Sequence, residues 1–154
     1  MIGPPGNRPT IVIAEDSALM ATRLQMLLEH ECALLAVVGN GAELVQAVRT
    51  HHPDVIVSDI DMPVMTGLEA GRMILQEHPG ARIVFVTALT DPAIIRAALS
   101  LGALGFVGKR DAGRELIAAV HSSTEGKIYV SHSGWNSLGQ TVGQRTDWNG
   151  GEHQ

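Results

Sequence analysis

The sequence is poor in aromatic residues and in cysteine, and it has no long uninterrupted hydrophobic segment. Aromatic residues make up 3% of the 154 residues, so an apolar core has to be built from Val, Ile, Leu, Met and Ala. Because Cys32 is the single cysteine, the chain cannot form an internal disulfide, which is compatible with the expected location in the reducing cytoplasm. Cys32 itself is expected to be a small buried residue. No apolar run approaches the ~20 residues of a membrane-spanning helix.

Basic residues are also scarce. Lys and Arg number 11 against 16 Asp and Glu, which gives a formal net charge of −5. Because nucleic-acid phosphates repel an acidic surface, this composition disfavours non-specific binding of DNA or RNA. Neither common glycine-rich phosphate loop is present, and the seven histidines do not form a metal-ligating set.

Short aliphatic runs alternate with helical patterns five times along the central part of the chain. The predicted strands are residues 11–14, 34–38, 55–58, 83–86 and 105–107. Asn40 with Glu43, Asp91 with Pro92, and Asp111 are typical signals for the start of a helix. The expected fold class is therefore α/β, a flavodoxin-like (βα)5 three-layer sandwich with parallel strand order 2-1-3-4-5.

The two ends of the chain differ in composition from the centre. Residues 1–9 are rich in Gly, Pro and Asn and are expected to be a flexible tail, whereas residues 10–122 form the predicted domain. Residues 123–154 contain both tryptophans, Trp135 and Trp148, but few other apolar residues. Since such a segment cannot form a core of its own, it is predicted to be a linker or an unstructured C-terminal tail.

Polar side chains follow four of the five predicted strands at the point where each strand ends. In an open parallel sheet these carboxyl ends share one edge, where ligands bind. Carboxylates brought together there repel one another, and a divalent cation that prefers oxygen ligands, such as Mg²⁺, relieves the repulsion. With a lysine and a hydroxyl nearby, the set suits phosphoryl transfer to an aspartate nucleophile. Its members are Glu15, Asp16, Asp59, Thr87 and Lys109.

The same segments resemble the receiver domain of two-component response regulators. The matching residues are 11–16, 55–69, 83–88 and 102–109. The resemblance extends over residues 10–122, and residues 126–131 are similar to the stretch that follows the receiver in LuxR/NarL-type regulators. It implies the regulatory part of a transcription regulator that lacks its DNA-binding domain here. It also implies no enzymatic activity beyond self-catalysed phosphoryl acceptance and slow autodephosphorylation.

The resemblance implies a metal-assisted phosphoacceptor site. Asp59 is implied to be the phosphoacceptor. Asp16, Asp59 and the backbone carbonyl of Asp61 are implied to ligate Mg²⁺, or alternatively Mn²⁺, while Glu15 acts through metal-bound water.

The resemblance also implies which residues contact the phosphoryl group and which transmit the signal. Lys109, Thr87 and Ala88 are implied to surround the phosphoryl group. Thr87 and the aromatic Phe106 are implied to switch the face formed by strand 4, helix 4 and strand 5. The chain departs from the family at Arg110, because receivers often have proline after the lysine.

The implied phosphoryl donor is a phosphohistidine on a sensor histidine kinase or a phosphotransfer protein. Homodimers are common among such domains and are compatible with this sequence. The chain itself is expected to bind neither nucleic acid nor a membrane.

Two other interpretations stay open at this point. The Asp59-Ile60-Asp61 sequence also resembles the Asp-x-Asp motif of haloacid-dehalogenase-like, magnesium-dependent phosphatases, although their motif follows the first strand. The chain could also be a receiver-like interaction module that is never phosphorylated, an interpretation that the complete acceptor set disfavours.

Overall fold

The aliphatic runs form the strands of one parallel sheet. A computed structural model describes residues 8–142 of the chain. The sheet order is β2-β1-β3-β4-β5-β6, which confirms the predicted order of the first five strands and adds a sixth at the edge of β5. The strands are β1 (Thr10–Ala14), β2 (Ala33–Val38), β3 (Val55–Ser58), β4 (Ile83–Thr87), β5 (Gly105–Gly108) and β6 (Tyr129–Val130).

Helices follow the strands, and most begin at the signals that the sequence predicts. They are α1 (Ala18–Leu28), α2 (Gly41–His51), α3 (Gly67–Glu77), α4 (Pro92–Leu101), α5 (Ala112–Thr124) and α6 (His132–Val142), with a 3-10 turn at Lys109–Asp111. The side chain of Asn40 accepts a hydrogen bond from the Glu43 N–H at 2.8 Å, and Thr66 and Glu69 form a reciprocal capping box. These bonds satisfy backbone donors that the first turn of a helix leaves free.

The sheet separates two apolar cores, which makes the fold a three-layer sandwich. One core packs α1 and α5 against the sheet and includes Cys32, which is buried as predicted. The other core packs α2, α3, α4 and α6 against the opposite face and contains both phenylalanines, Phe85 and Phe106. Every residue of β3 and β4 is buried, which explains why these strands read as continuous aliphatic runs.

The C-terminal segment is the main departure from the sequence prediction. The prediction of a linker or unstructured tail over residues 123–154 is wrong for residues 129–142, which form β6 and α6. β6 pairs with the open edge of β5, and the Ser131 N–H donates to the Phe106 carbonyl at 2.9 Å. Leu138 of α6 is buried in the apolar core that contains Phe85 and Phe106. The segment needs no core of its own, because it completes an existing one.

A second departure concerns Asp111, predicted to cap α5. Its side chain makes no capping bond to that helix, and its carboxylate instead accepts hydrogen bonds from Ser131 and Ser133. Most of the predicted N-terminal tail (residues 1–7) and Trp148 lie outside the described residues. Among the described helices, none combines the length and the apolar character needed to cross a bilayer.

The packing of α6 predicts that Leu138→Ala destabilises the protein. Leu138 is 4% exposed, so its truncation leaves a cavity in the core. We expect the free energy of unfolding, measured by urea denaturation, to fall by about 2–3 kcal/mol. Met26→Ala is the matched control, since Met26 is 63% exposed on α1. Equal stability of the two variants would show that α6 does not contribute to the core.

Candidate functional site

The parallel register brings the predicted site residues to one edge of the sheet. Ala14 of β1 pairs with Ser58 of β3, and the Asp59 N–H donates to the Ala14 carbonyl at 2.9 Å. The residues that directly follow these strands, Glu15 and Asp59, are therefore neighbours. This is the edge at which the carboxyl ends of β1, β3, β4 and β5 meet.

Lys109 bridges the two buried carboxylates. Its Nζ donates to Asp59 Oδ2 at 2.9 Å and lies 3.1 Å from Glu15 Oε1. Both acidic residues are 3% exposed, whereas the Lys109 side chain keeps a quarter of its surface in solvent. Because unpaired buried charges are costly, this ammonium is the main counter-charge of the site.

The second oxygen of Asp59 is held by the backbone that follows it. Asp59 Oδ1 accepts the Ile60 N–H at 2.7 Å and the Asp61 N–H, more weakly, at 3.4 Å. The first residue of α3, Gly67, packs directly behind this turn, and a Cβ there would lie 2.1 Å from the Asp59 carbonyl oxygen. Glycine at position 67 therefore allows the helix to approach and fix the Asp59 carboxylate.

The loop after Asp59 is fixed by a strained turn. Val64 has a φ of 71°, which is uncommon for a β-branched residue and costs roughly 1–3 kcal/mol. The Met65 N–H donates to the Pro63 carbonyl at 2.7 Å, and the Met65 carbonyl accepts the Gly41 N–H at 2.9 Å. The start of α2 thus anchors the loop that carries Asp61.

Three carboxylates cluster closely enough to share a metal ion. One oxygen each from Glu15, Asp16 and Asp59 lies within 4.8 Å of the others. Glu15 Oε1 is buried and lies 3.1 Å from the Lys109 ammonium, and a carboxylate oxygen can accept further contacts from a water or a cation. Asp16 is exposed and opens the cluster to solvent. The residues therefore fit a hard divalent cation with oxygen ligands, such as Mg²⁺. The Asp61 carbonyl stays a predicted further ligand.

Burial, hydrogen bonds and neighbouring charges shift the pKa values of Glu15 and Lys109. Burial raises the pKa of the Glu15 carboxyl, and the charge of Asp59 adds to this effect, while hydrogen bonds from Ser17 and Lys109 oppose it. Burial lowers the pKa of Lys109, but its bonds to Asp59 and Glu15 outweigh burial and raise the pKa overall. The site thus holds more negative charge than a single ammonium balances.

The remaining predicted site residues lie on β4 and β5 or directly after β4. Thr87 is fully buried, and its hydroxyl accepts the Leu89 N–H at 3.1 Å. Within the described residues, Thr87 does not bond to Asp59 or Lys109. Ala88, which directly follows β4, is exposed. Phe106 points into the core with none of its surface exposed.

Sequence reasoning missed one group of residues next to the site. Ser131 and Ser133 of the C-terminal segment contact Gly108 and Asp111, which lie on either side of Lys109. A serine after a two-residue strand carries no distinctive signal in the sequence. The only hint was the similarity of residues 126–131 to the stretch that follows other receivers.

Comparisons with known proteins give one consistent family match. Residues 11–121 match the family model of the response regulator receiver domain. The oxygen regulatory protein NreC of Staphylococcus epidermidis is 33% identical over 123 residues, which cover 78% of this chain and 56% of NreC. The transcriptional regulatory protein DegU of Brevibacillus brevis is 31% identical over 126 residues, which cover 80% of this chain and 53% of DegU. The chain spans about half the length of these curated relatives.

Solved structures give the same result for the fold. A two-component response regulator of the LuxR family from Aurantimonas sp. SI85-9A1 has a TM-score of 0.84 and 25% sequence identity to this chain. The match covers 90% of this chain and 100% of that one.

The acidic cluster predicts that Asp16→Asn weakens Mg²⁺ binding. The substitution removes one of three converging negative charges, and we expect the dissociation constant from isothermal titration calorimetry to rise about tenfold or more. Asp54→Asn is the matched control, because exposed Asp54 lies at the opposite end of β3. A normal affinity in Asp16→Asn would contradict metal binding at this cluster.

Proposed function

The chain belongs to the response regulator receiver domain family, and we propose that it accepts a phosphoryl group on Asp59 with the help of a divalent cation. The observation that carries the proposal is the 2.9 Å bond between the Lys109 ammonium and Asp59, beside the carboxylates of Glu15 and Asp16. The set supplies a nucleophile, a fixed positive charge and a place for a cation, which are the requirements of phosphoryl transfer.

In the proposed reaction, a carboxylate oxygen of Asp59 attacks the phosphorus of a phosphohistidine. The new O–P bond forms as the N–P bond breaks, and the electron pair of that bond returns to the imidazole nitrogen of the donor. Lys109 stays protonated and neutralises negative charge on the phosphoryl oxygens. The exposed side chain of Ala88 leaves room for the incoming group.

The acidic residues would hold the cation. Glu15, Asp16 and Asp59 offer oxygens close together, and the Asp61 carbonyl is proposed as a further ligand. Mg²⁺ or Mn²⁺ held by these residues would supply positive charge that neutralises the phosphoryl oxygens. The burial of the Glu15 carboxylate beside Asp16 and Asp59 supports this assignment, because Glu15 would act on the cation through an intervening water.

The proposed output of phosphorylation is a shift in the surface of β4, α4 and β5. The Thr87 hydroxyl would exchange its bond with Leu89 for a bond with a phosphoryl oxygen. Phe106 lies on β5 opposite Phe85 of β4, so movement of Thr87 reaches a tightly packed core. Because the phosphoryl group bonds better in one arrangement, it changes the populations of states that already exist.

The proposed phosphoryl donor is a sensor histidine kinase or a phosphotransfer protein, as the family implies. The relatives are named as regulators of transcription or of oxygen responses, and this chain corresponds to about half their length. We propose that this chain has the same regulatory role, with slow loss of the phosphoryl group as its only catalysis. The phosphatase alternative is disfavoured, since Asp61 is exposed and Asp59 follows the third strand of the chain.

The proposal predicts a covalent adduct on Asp59. Incubation with acetyl phosphate and Mg²⁺ should add the mass of one phosphoryl group, and Asp59→Asn or a chelator should abolish the addition. Asp61→Asn is the matched control and should still form the adduct. An unmodified wild-type mass would support the interaction module, whereas sustained turnover of p-nitrophenyl phosphate would support the phosphatase.

The proposed switch predicts that Thr87→Ala separates phosphorylation from the conformational response. Trp135 packs in the same core as Phe106, so its emission in a Trp148→Phe background reports on that core. We expect Thr87→Ala to form the adduct but to lose most of the change in emission. Thr50→Ala, on the exposed side of α2, should keep the full change. A full response in Thr87→Ala would exclude Thr87 as the switch.

A further inference from the structure

The C-terminal segment contacts the backbone on both sides of Lys109. The Oγ of Ser131 accepts the Gly108 N–H at 3.0 Å and donates to Asp111 Oδ2 at 2.7 Å. Gly108 immediately precedes Lys109, and Asp111 follows it by two residues. A single fully buried hydroxyl therefore ties together the two ends of the short turn from which Lys109 extends.

A second serine strengthens this attachment. The N–H and the hydroxyl of Ser133 both donate to Asp111 Oδ2, at 2.9 and 2.6 Å. With the bond from Ser131, one buried oxygen accepts three hydrogen bonds. Burial acts to raise the pKa of Asp111, but these bonds outweigh it and lower the pKa. The carboxylate that receives the three bonds is thus held in its charged form, in which such bonds are strongest.

The approach of the segment to β5 is close. A Cβ at position 108 would lie 2.2 Å from Ser133 Oγ, so only glycine allows this contact. Gly108 also pairs with Thr87 in the register of β4 and β5. The attachment point of the C-terminal segment is therefore next to Thr87 and Lys109, two of the three residues proposed to contact the phosphoryl group.

Lys109 needs these hydrogen bonds, because its own short turn contributes little to fixing its backbone position. It lies in a three-residue 3-10 turn, and the residue that follows, Arg110, is exposed. Yet the ammonium has to lie near Asp59 and Glu15 at once, at the end of a long side chain with much rotational freedom. In phosphoryl transfer, small displacements of a charged group reduce the rate strongly.

We propose that Ser131 and Asp111 are positioning residues for Lys109, so that the docked segment of residues 129–142 sets the reactivity of Asp59. This inference rests on the proposed function. Neither residue touches the carboxylates of the site, and both act through the backbone that carries the ammonium.

The test compares phosphorylation rates of the full chain with acetyl phosphate at saturating Mg²⁺. Ser131→Ala removes the bond to Gly108 and should slow the reaction about tenfold. Ser123→Ala is the matched control: Ser123 is equally buried, but its hydroxyl bonds only to the Val120 carbonyl within α5. We expect the control to react at the wild-type rate.

A double-mutant cycle identifies the residue through which Ser131 acts. In a Lys109→Ala background, Ser131→Ala should have no further effect, because the group that it positions is absent. An equal slowing in both backgrounds would overturn the proposal, since it would show a general structural effect. Asp111→Asn, which keeps an oxygen acceptor, tests the same attachment if Ser131→Ala does not fold, and its slowing should also vanish without Lys109.

The remaining outcomes separate this inference from the proposed function. Mg²⁺ affinity should be unchanged in Ser131→Ala, because the acidic cluster does not include it. If the wild-type protein reacts and Ser131→Ala reacts equally fast, only the positioning role is overturned. If the wild-type protein forms no adduct on Asp59, the proposed function is overturned and the positioning role with it.

Discussion

The structure of the site depends on one ammonium group placed between two buried carboxylates. Lys109 lies within 3.1 Å of both Asp59 and Glu15, and Asp16 adds a third negative charge at the solvent side. One positive charge cannot balance three negative ones, so the site attracts a cation. Only a fold that brings β1, β3 and β5 to one edge can assemble these charges, because their carriers are far apart in the sequence.

Much of the fold and of the site could be predicted from the sequence, because both follow from short-range patterns. Strands buried on two faces are aliphatic runs, and a parallel arrangement puts the end of each run at the same edge. The acidic cluster was therefore predictable from the positions of Glu15, Asp16 and Asp59 alone. Side-chain directions within the site were not predictable, for example the buried Phe106 or the bond from Leu89 to Thr87.

The C-terminal segment could not be predicted, for a physical reason. Leu138 and few other apolar residues cannot form a core on their own, so the composition of the segment predicts an unstructured tail. The segment is stabilised by surfaces that the rest of the chain supplies, namely the open edge of β5 and the core around Phe106. A two-residue strand has no periodicity to detect, and the polar partners of Asp111 become visible only in three dimensions.

The same contacts connect the site to a surface beyond it. α6 packs against α4 and β5, the elements proposed to respond to phosphorylation, and the turn that carries Lys109 is bonded to the start of the same segment. If docking of residues 129–142 favours the active position of Lys109, then a phosphoryl group that bonds Lys109 must favour docking by the same free energy, because coupling between two equilibria is reciprocal. Under the proposed positioning role, the turn between β5 and α5 would therefore transmit the state of Asp59 to α6, in addition to the proposed route through Thr87 and Phe106.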